Sequence, residues 1–183
     1  MVQIAWSTPL TAVSNAALTA AQWNASVRDN LNETAPGKAT AAGQIFVATG
    51  LNAVAARVSV QDAYTGGGTD STNSTVFTGL TGGASISMAT GAKAIIHSYA
   101  VWSHDVAGSR SVVSHSVSGA TTTAATDSWA IINDCMVASR LTTSGITVAW
   151  TTLNSGTNTF TQAFRVVSNI GSFPQRRLVG IPF

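Results

Sequence analysis

Residues 92–102, AKAIIHSYAVW, decide how this chain folds. In an extended segment side chains alternate between two faces, so Ile96, Ala100 and Trp102 share one face while Lys93, Ile95, His97, Tyr99 and Val101 share the other. Both faces are substantially apolar. That predicts a strand covered twice, by a second sheet on one side and by another subunit on the other; a buried mixed sheet without helices fits the same pattern.

The same period of two runs outward from this segment. VFTGL (76–80), ASISMA (84–89), SVVSHSVSG (111–119), SWAIINDCMVAS (128–139), ITVAWTTL (146–153), TFTQAFRVV (159–167) and RRLVGIPF (176–183) are rich in β-branched and aromatic residues. Gly, Asn, Asp or Ser punctuates most of the intervals. Short strands at close spacing without a helical interval predict an antiparallel β-sandwich, jelly-roll-like, over residues 76–183.

Upstream the pattern changes. In LTAAQWNASVRDNLNETAP (18–36), Thr19 reads as a helix N-cap, Gln22 completes a capping box, and Leu18 and Trp23 stand where a hydrophobic staple forms. Trp23, Val27 and Leu31 recur every four residues as one apolar stripe, with Asn24, Arg28 and Asn32 directed elsewhere. Pro36 and Gly37 close the helix. About four turns of helix are marginal alone in water, so its partner is other protein. Residues 1–15 read as an extended arm, with Trp6 either its anchor on another surface or packed on its own domain, and 44–58, QIFVATGLNAVAARV, as a hairpin turning at Thr49–Asn52. The Gly-rich run YTGGGTDSTNS (64–74) reads as a linker. The organisation expected is therefore 1–62 for docking, 63–75 as linker and 76–183 as sandwich, with Trp6, Leu18, Trp23, Val27, Arg28, Asp29 and Leu31 as docking residues.

Composition narrows the function classes. Only 9% of the 183 residues are charged while 45% are hydrophobic, and ordinary soluble domains carry roughly 25% charge. Interfaces are depleted of charge at their cores, so this profile fits a subunit surrounded by neighbours better than a free enzyme. The net charge is +2 and the basic residues are scattered apart from Arg176 and Arg177, which gives no stripe for nucleic acid. The single cysteine, Cys135, excludes an internal disulfide framework. No run is long and apolar enough to cross a membrane, and the start carries no signal-peptide pattern. Synthesis in a host cytoplasm is the expectation.

Candidates for chemistry are thin. Asp105, Asp127 and Asp134 at strand ends could in principle supply a carboxylate pair, but they read as turn-capping aspartates. His97, His104 and His115 could gather around a threefold axis to bind a metal; their spacing gives no ligand pattern, and they read as sheet histidines. Trp102, Trp129 and Trp150 are either core residues or aromatic platforms for glycan. No catalytic, cofactor-binding or metal residue is assigned, and no cofactor is expected.

The opening block AWSTPLTAVSNAALTAAQWNASVRDNLNETAP carries a Trp, a Leu-Thr before the helix, and Asn24, Arg28, Asp29, Asn30 and Leu31. It resembles the N-terminal segment of structural proteins from tailed bacteriophages of actinobacteria. The hairpin, with Gly43, Ala48, Thr49, Gly50 and Asn52, looks like one found in phage fibre and tail proteins. Phe164, Arg165, Phe173, Arg176 and Arg177 are similar to the last strands of the β domains that follow. The resemblance implies a non-enzymatic virion subunit, trimeric, whose partners are its own copies and the major capsid protein or tail proteins. Its expected role is capsid decoration; the alternative is a minor tail or fibre protein whose β domain binds host-surface glycan.

Overall fold

The computed structural model describes residues 17–32, 35–51, 53–67 and 70–183. The chain divides into two compact units, Met1–Ser59 and Val60–Phe183.

In the first unit the helix begins as the sequence dictates. Thr19 Oγ1 accepts from the Gln22 amide at 3.2 Å, and Gln22 Oε1 accepts from the Thr19 amide at 3.0 Å. An α turn at Ala20–Trp23 widens into a π turn at Asn24–Arg28 and tightens again at Asp29–Asn32. The Asn30 side chain donates to the Ser26 carbonyl at 3.0 Å, the acceptor that a regular helix reserves for the Asn30 amide, which ties the widened turn to a side-chain competitor. The expected closure at Pro36–Gly37 is displaced: a further helical turn spans Ala35–Lys38. Strands β1 (Gln44–Gly50) and β2 (Ala53–Val58) form the expected antiparallel hairpin. Among the described residues of this unit only Asn30 is buried.

Among its described residues the second unit contains nine strands: β3 (Gln61–Gly66), β4 (Ser71–Thr72), β5 (Ser85–Thr90), β6 (Ala94–His104), β7 (Arg110–Gly119), β8 (Ile131–Asp134), β9 (Thr142–Trp150), β10 (Gly156–Val166) and β11 (Gly171–Pro182). They form two antiparallel sheets, β5-β10-β7-β8 and β3-β11-β6-β9, with the short β4 beside β11. Leaving out β4, the first strand pairs with the eighth, the second with the seventh, the third with the sixth and the fourth with the fifth. A long antiparallel ribbon folded over itself in this way is a jelly roll. The fold class read from the sequence is thus the one observed.

Two expectations change. The stretch 63–75 is not a free linker, because Gln61–Gly66 adds a strand to β11 with Tyr64 opposite Arg177 and Gln175 opposite Gly66. The sandwich begins at Val60, not at Val76. VFTGL (76–80) forms no strand; its backbone pairs with the sheet at one bridge, Thr78 to Phe164, and Leu80 packs against the core. The strand that decided the fold has its inner face buried from Ala94 through Ile96, Ser98, Ala100 and Trp102 to His104. On its outer face Val101 is buried, Ile95 and Tyr99 are half-buried, and His97 is exposed.

The core lies between the sheets in two apolar parts. One gathers Ile86, Met88, Ile96, Val117, Phe160 and Leu178; the other gathers Trp102, Val113, Ile131, Phe164 and Phe173. Between them every central strand carries a buried polar residue: Ser98, His115, Gln162 and Arg176. Gln162 spans the sheets, donating from Nε2 to Ser98 Oγ at 2.7 Å and to the carbonyls of Tyr99 and Arg177 at 3.2 Å each.

Candidate functional site

Each residue that the sequence nominated can now be placed. Trp6 lies outside the described residues. Leu18, Trp23 and Leu31 are 55%, 56% and 59% exposed, and Val27 is half-buried. A helix in water exposes large apolar side chains like these only at a cost in free energy, and an assembled partner would remove it. Arg28 and Asp29 bond to each other, Nε to Oδ1 at 2.8 Å.

The aspartates nominated for chemistry are engaged with other groups. Asp127 holds Arg165 at 2.6 Å, Asp134 holds Arg110 at 2.6 Å, and Asp105 accepts from the Ile170 amide at 3.0 Å. The hydrogen bond from Arg110 keeps the Asp134 carboxyl below its ordinary range. These contacts clip strand ends and loops together.

The histidines occupy three different settings. His97 is exposed and its Nδ1 meets Thr147 Oγ1 at 2.9 Å. His104 is buried with Nδ1 2.9 Å from Asp105 Oδ1. His115 is fully enclosed among Trp129, Trp150 and Phe160. Among the described residues no group of three His, Cys, Asp or Glu side chains could hold a metal.

The tryptophans are used for packing. Trp102 is 2% exposed. Trp129 and Trp150 meet edge to face at 4.9 Å, and their indole N–H groups donate inward to the carbonyl and to Nε2 of His115, at 2.9 and 3.0 Å. Cys135 is buried, its thiol 3.1 Å from the Val137 carbonyl.

The described surface offers other features that the sequence did not single out. A groove of about 730 Å³ runs beside residues 75–79, where the Arg165 guanidinium lies 5.3 Å from the centre of the Phe77 ring. On the outer face of the β3-β11-β6-β9 sheet, a hollow of about 260 Å³ is lined by Tyr64, His97, Tyr99, Gln175, Arg177 and Val179. In register across four strands stand Tyr64, Arg177, Tyr99 and Gly145. Arg177 donates from Nε and Nη2 to both oxygens of Asp62, at 2.9 and 2.7 Å, and the bond holds the Asp62 carboxyl below its ordinary range. The sequence did contain a signal for part of this surface. Asp62, Tyr64 and Gly66 alternate with Gln61, Ala63 and Thr65 in strand fashion, a pattern masked by the glycines that follow Thr65.

No family model matches the chain, and no curated protein matches it. Among solved structures, the crystal structure of the infectious bursal disease virus VP2 subviral particle matches with a TM-score of 0.50 at 14% identity. The match covers 76% of this chain and 38% of that one. Structures of the Gx and Gt strains of the same virus match at 13% identity with TM-scores of 0.47 and 0.45, over 75% and 74% of this chain and 36% and 37% of theirs. The chain therefore spans well under half the length of the viral capsid proteins it matches. What is shared at this identity is the fold, a β-sandwich that a virus capsid protein also builds.

Proposed function

We propose that this chain is a structural subunit of a virion. Its jelly roll stands as a compact module, and the unit before Val60 attaches that module to the particle. The observation that carries this reading is the contrast between the two units. The second has a complete buried core, whereas the described part of the first is a short helix and a two-stranded hairpin whose apolar side chains remain accessible. Likeness in fold to a capsid protein supports the virion setting.

Within that setting we read the chain as a non-enzymatic, trimeric decoration protein on the capsid of a tailed bacteriophage, contacting the major capsid protein. Burial made only in the assembled shell stabilises the shell, since anything that binds the assembled state alone shifts the equilibrium toward it. The test is localisation on intact particles by electron microscopy with copy number by quantitative mass spectrometry. Hundreds of copies on the head are expected; a handful at the tail would move the protein to the fibre reading. Removal of residues 1–59 should abolish particle binding and leave a folded sandwich. If the truncated chain still decorates shells, the docking assignment is wrong.

A further inference from the structure

The outer face of the β3-β11-β6-β9 sheet is shaped for a ligand, and we infer that it binds a neutral pyranose unit of a glycan. Two ring side chains there are given room by glycines. A Cβ on Gly66 would collide with the Tyr64 ring, 2.6 Å from Cζ, so the absence of a side chain lets that ring lie along its own strand. A Cβ on Gly145 would press on the His97 ring at 3.3 Å. Tyr64 is 59% exposed, and Tyr99 stands one strand beyond Arg177 in the same row. A tyrosine ring lying flat offers a π face to the C–H groups of a sugar and keeps its hydroxyl for a hydrogen bond.

The polar groups suit the same ligand. Gln175 supplies an amide donor and acceptor beside the rings, and His97 keeps Nε2 while Nδ1 is committed to Thr147. The bidentate bond to Asp62 fixes the Arg177 fork and neutralises its charge within the protein, so the ligand need bring no charge of its own. A hollow of about 260 Å³ admits one sugar ring, below the roughly 300–1,000 Å³ of drug-sized pockets. A single such contact is weak, and repetition of the subunit on a surface multiplies it. This inference concerns the sandwich alone and does not depend on where the particle carries it.

The experiment titrates the full-length, ¹⁵N-labelled protein with methyl α-D-glucopyranoside, methyl α-D-mannopyranoside, methyl β-D-galactopyranoside and N-acetylglucosamine at millimolar concentrations, with N-acetylneuraminic acid as the charged probe. At least one neutral pyranoside is expected to shift amide resonances of residues 62–66, 97–99 and 175–179 saturably. Tyr64→Ala and Gln175→Ala should each weaken that binding about tenfold or more without changing the thermal midpoint, since Tyr64 and Gln175 are exposed. Tyr64→Phe should retain the stacking and most of the affinity. The inference is overturned if no neutral pyranoside gives saturable shifts, if only the anionic sugar does, or if the shifts persist in Tyr64→Ala. It is also overturned if the same resonances broaden with protein concentration alone, because the face is then a contact between copies. Particle docking that survives removal of residues 1–59, with sugar binding intact, would defeat the attachment reading and not this one.

Discussion

Trp150 donates its indole N–H to Nε2 of His115 across 3.0 Å, which places the imidazole proton on Nδ1 and holds the ring neutral in an aromatic enclosure. Burial pushes the His115 pKa down to about 4. In the unfolded chain a histidine titrates near its ordinary value of 6.5. Between those two values the unfolded state binds the proton and the native state does not, so stability rises with pH across that window and is lost as pH falls. The full loss amounts to roughly 3 kcal/mol. Urea midpoints measured at pH 7.5 and 4.5 at constant ionic strength should differ accordingly, and His115→Gln should remove most of the difference. An unchanged wild-type midpoint would sink the assignment.

The Val60 boundary makes a second prediction. Residues 60–183 contain the whole jelly roll, whereas a chain starting at Val76 lacks β3 and with it the partner strand of Gln175–Gly180. It also lacks Asp62 and Asp70, the carboxylates that pair with Arg177 and Arg176. The longer fragment should unfold cooperatively at the sandwich's own midpoint. The shorter one should melt roughly 10 °C lower or more, or fail to fold. Equal midpoints by calorimetry would restore the linker reading of 63–75.

Gly66 marks the limit of what local sequence encodes about this fold. Alternation in 92–102 was legible because burial of one sheet face enforces it locally. Gly66 looked like a break since glycine is depleted in strands; its reason for being there is a ring from Tyr64 that lies across it. Pairings such as Arg177 with Asp62, 115 residues apart, arise from topology and leave no local mark. Trp129 and Trp150 were visible as either platform or core, and only packing around His115 decides between them. The capping box at Thr19 and Gln22 was fully legible because it is formed within four residues.

Trp23 separates docking from folding. It is 56% exposed on the helix, so Trp23→Ala should leave the melting transition of the sandwich in place within about 1 °C, as surface substitutions usually do. Co-sedimentation with undecorated particles should fall sharply. Equal loss of stability and binding would return the helix to a core role.

Arg176 and Asp70 supply the last prediction. Arg176 has no exposed side-chain surface, and its Nη2 meets Asp70 Oδ2 at 2.6 Å, while Nε and Nη1 have no partner among the described residues. A guanidinium held this way in a core depends on its counter-charge, and removing one partner of such a pair strands the other. Asp70→Asn should therefore cost roughly 2–4 kcal/mol, the lower part of that range reflecting the 30% exposure of Asp70. Arg176→Met replaces the charge by an apolar chain between Phe173 and Leu178, and Asp70 can then be hydrated. It should cost less than Asp70→Asn, or stabilise the fold. Chemical denaturation of the two variants decides the order. If Arg176→Met proves the more damaging, the arginine contributes through contacts other than this ion pair.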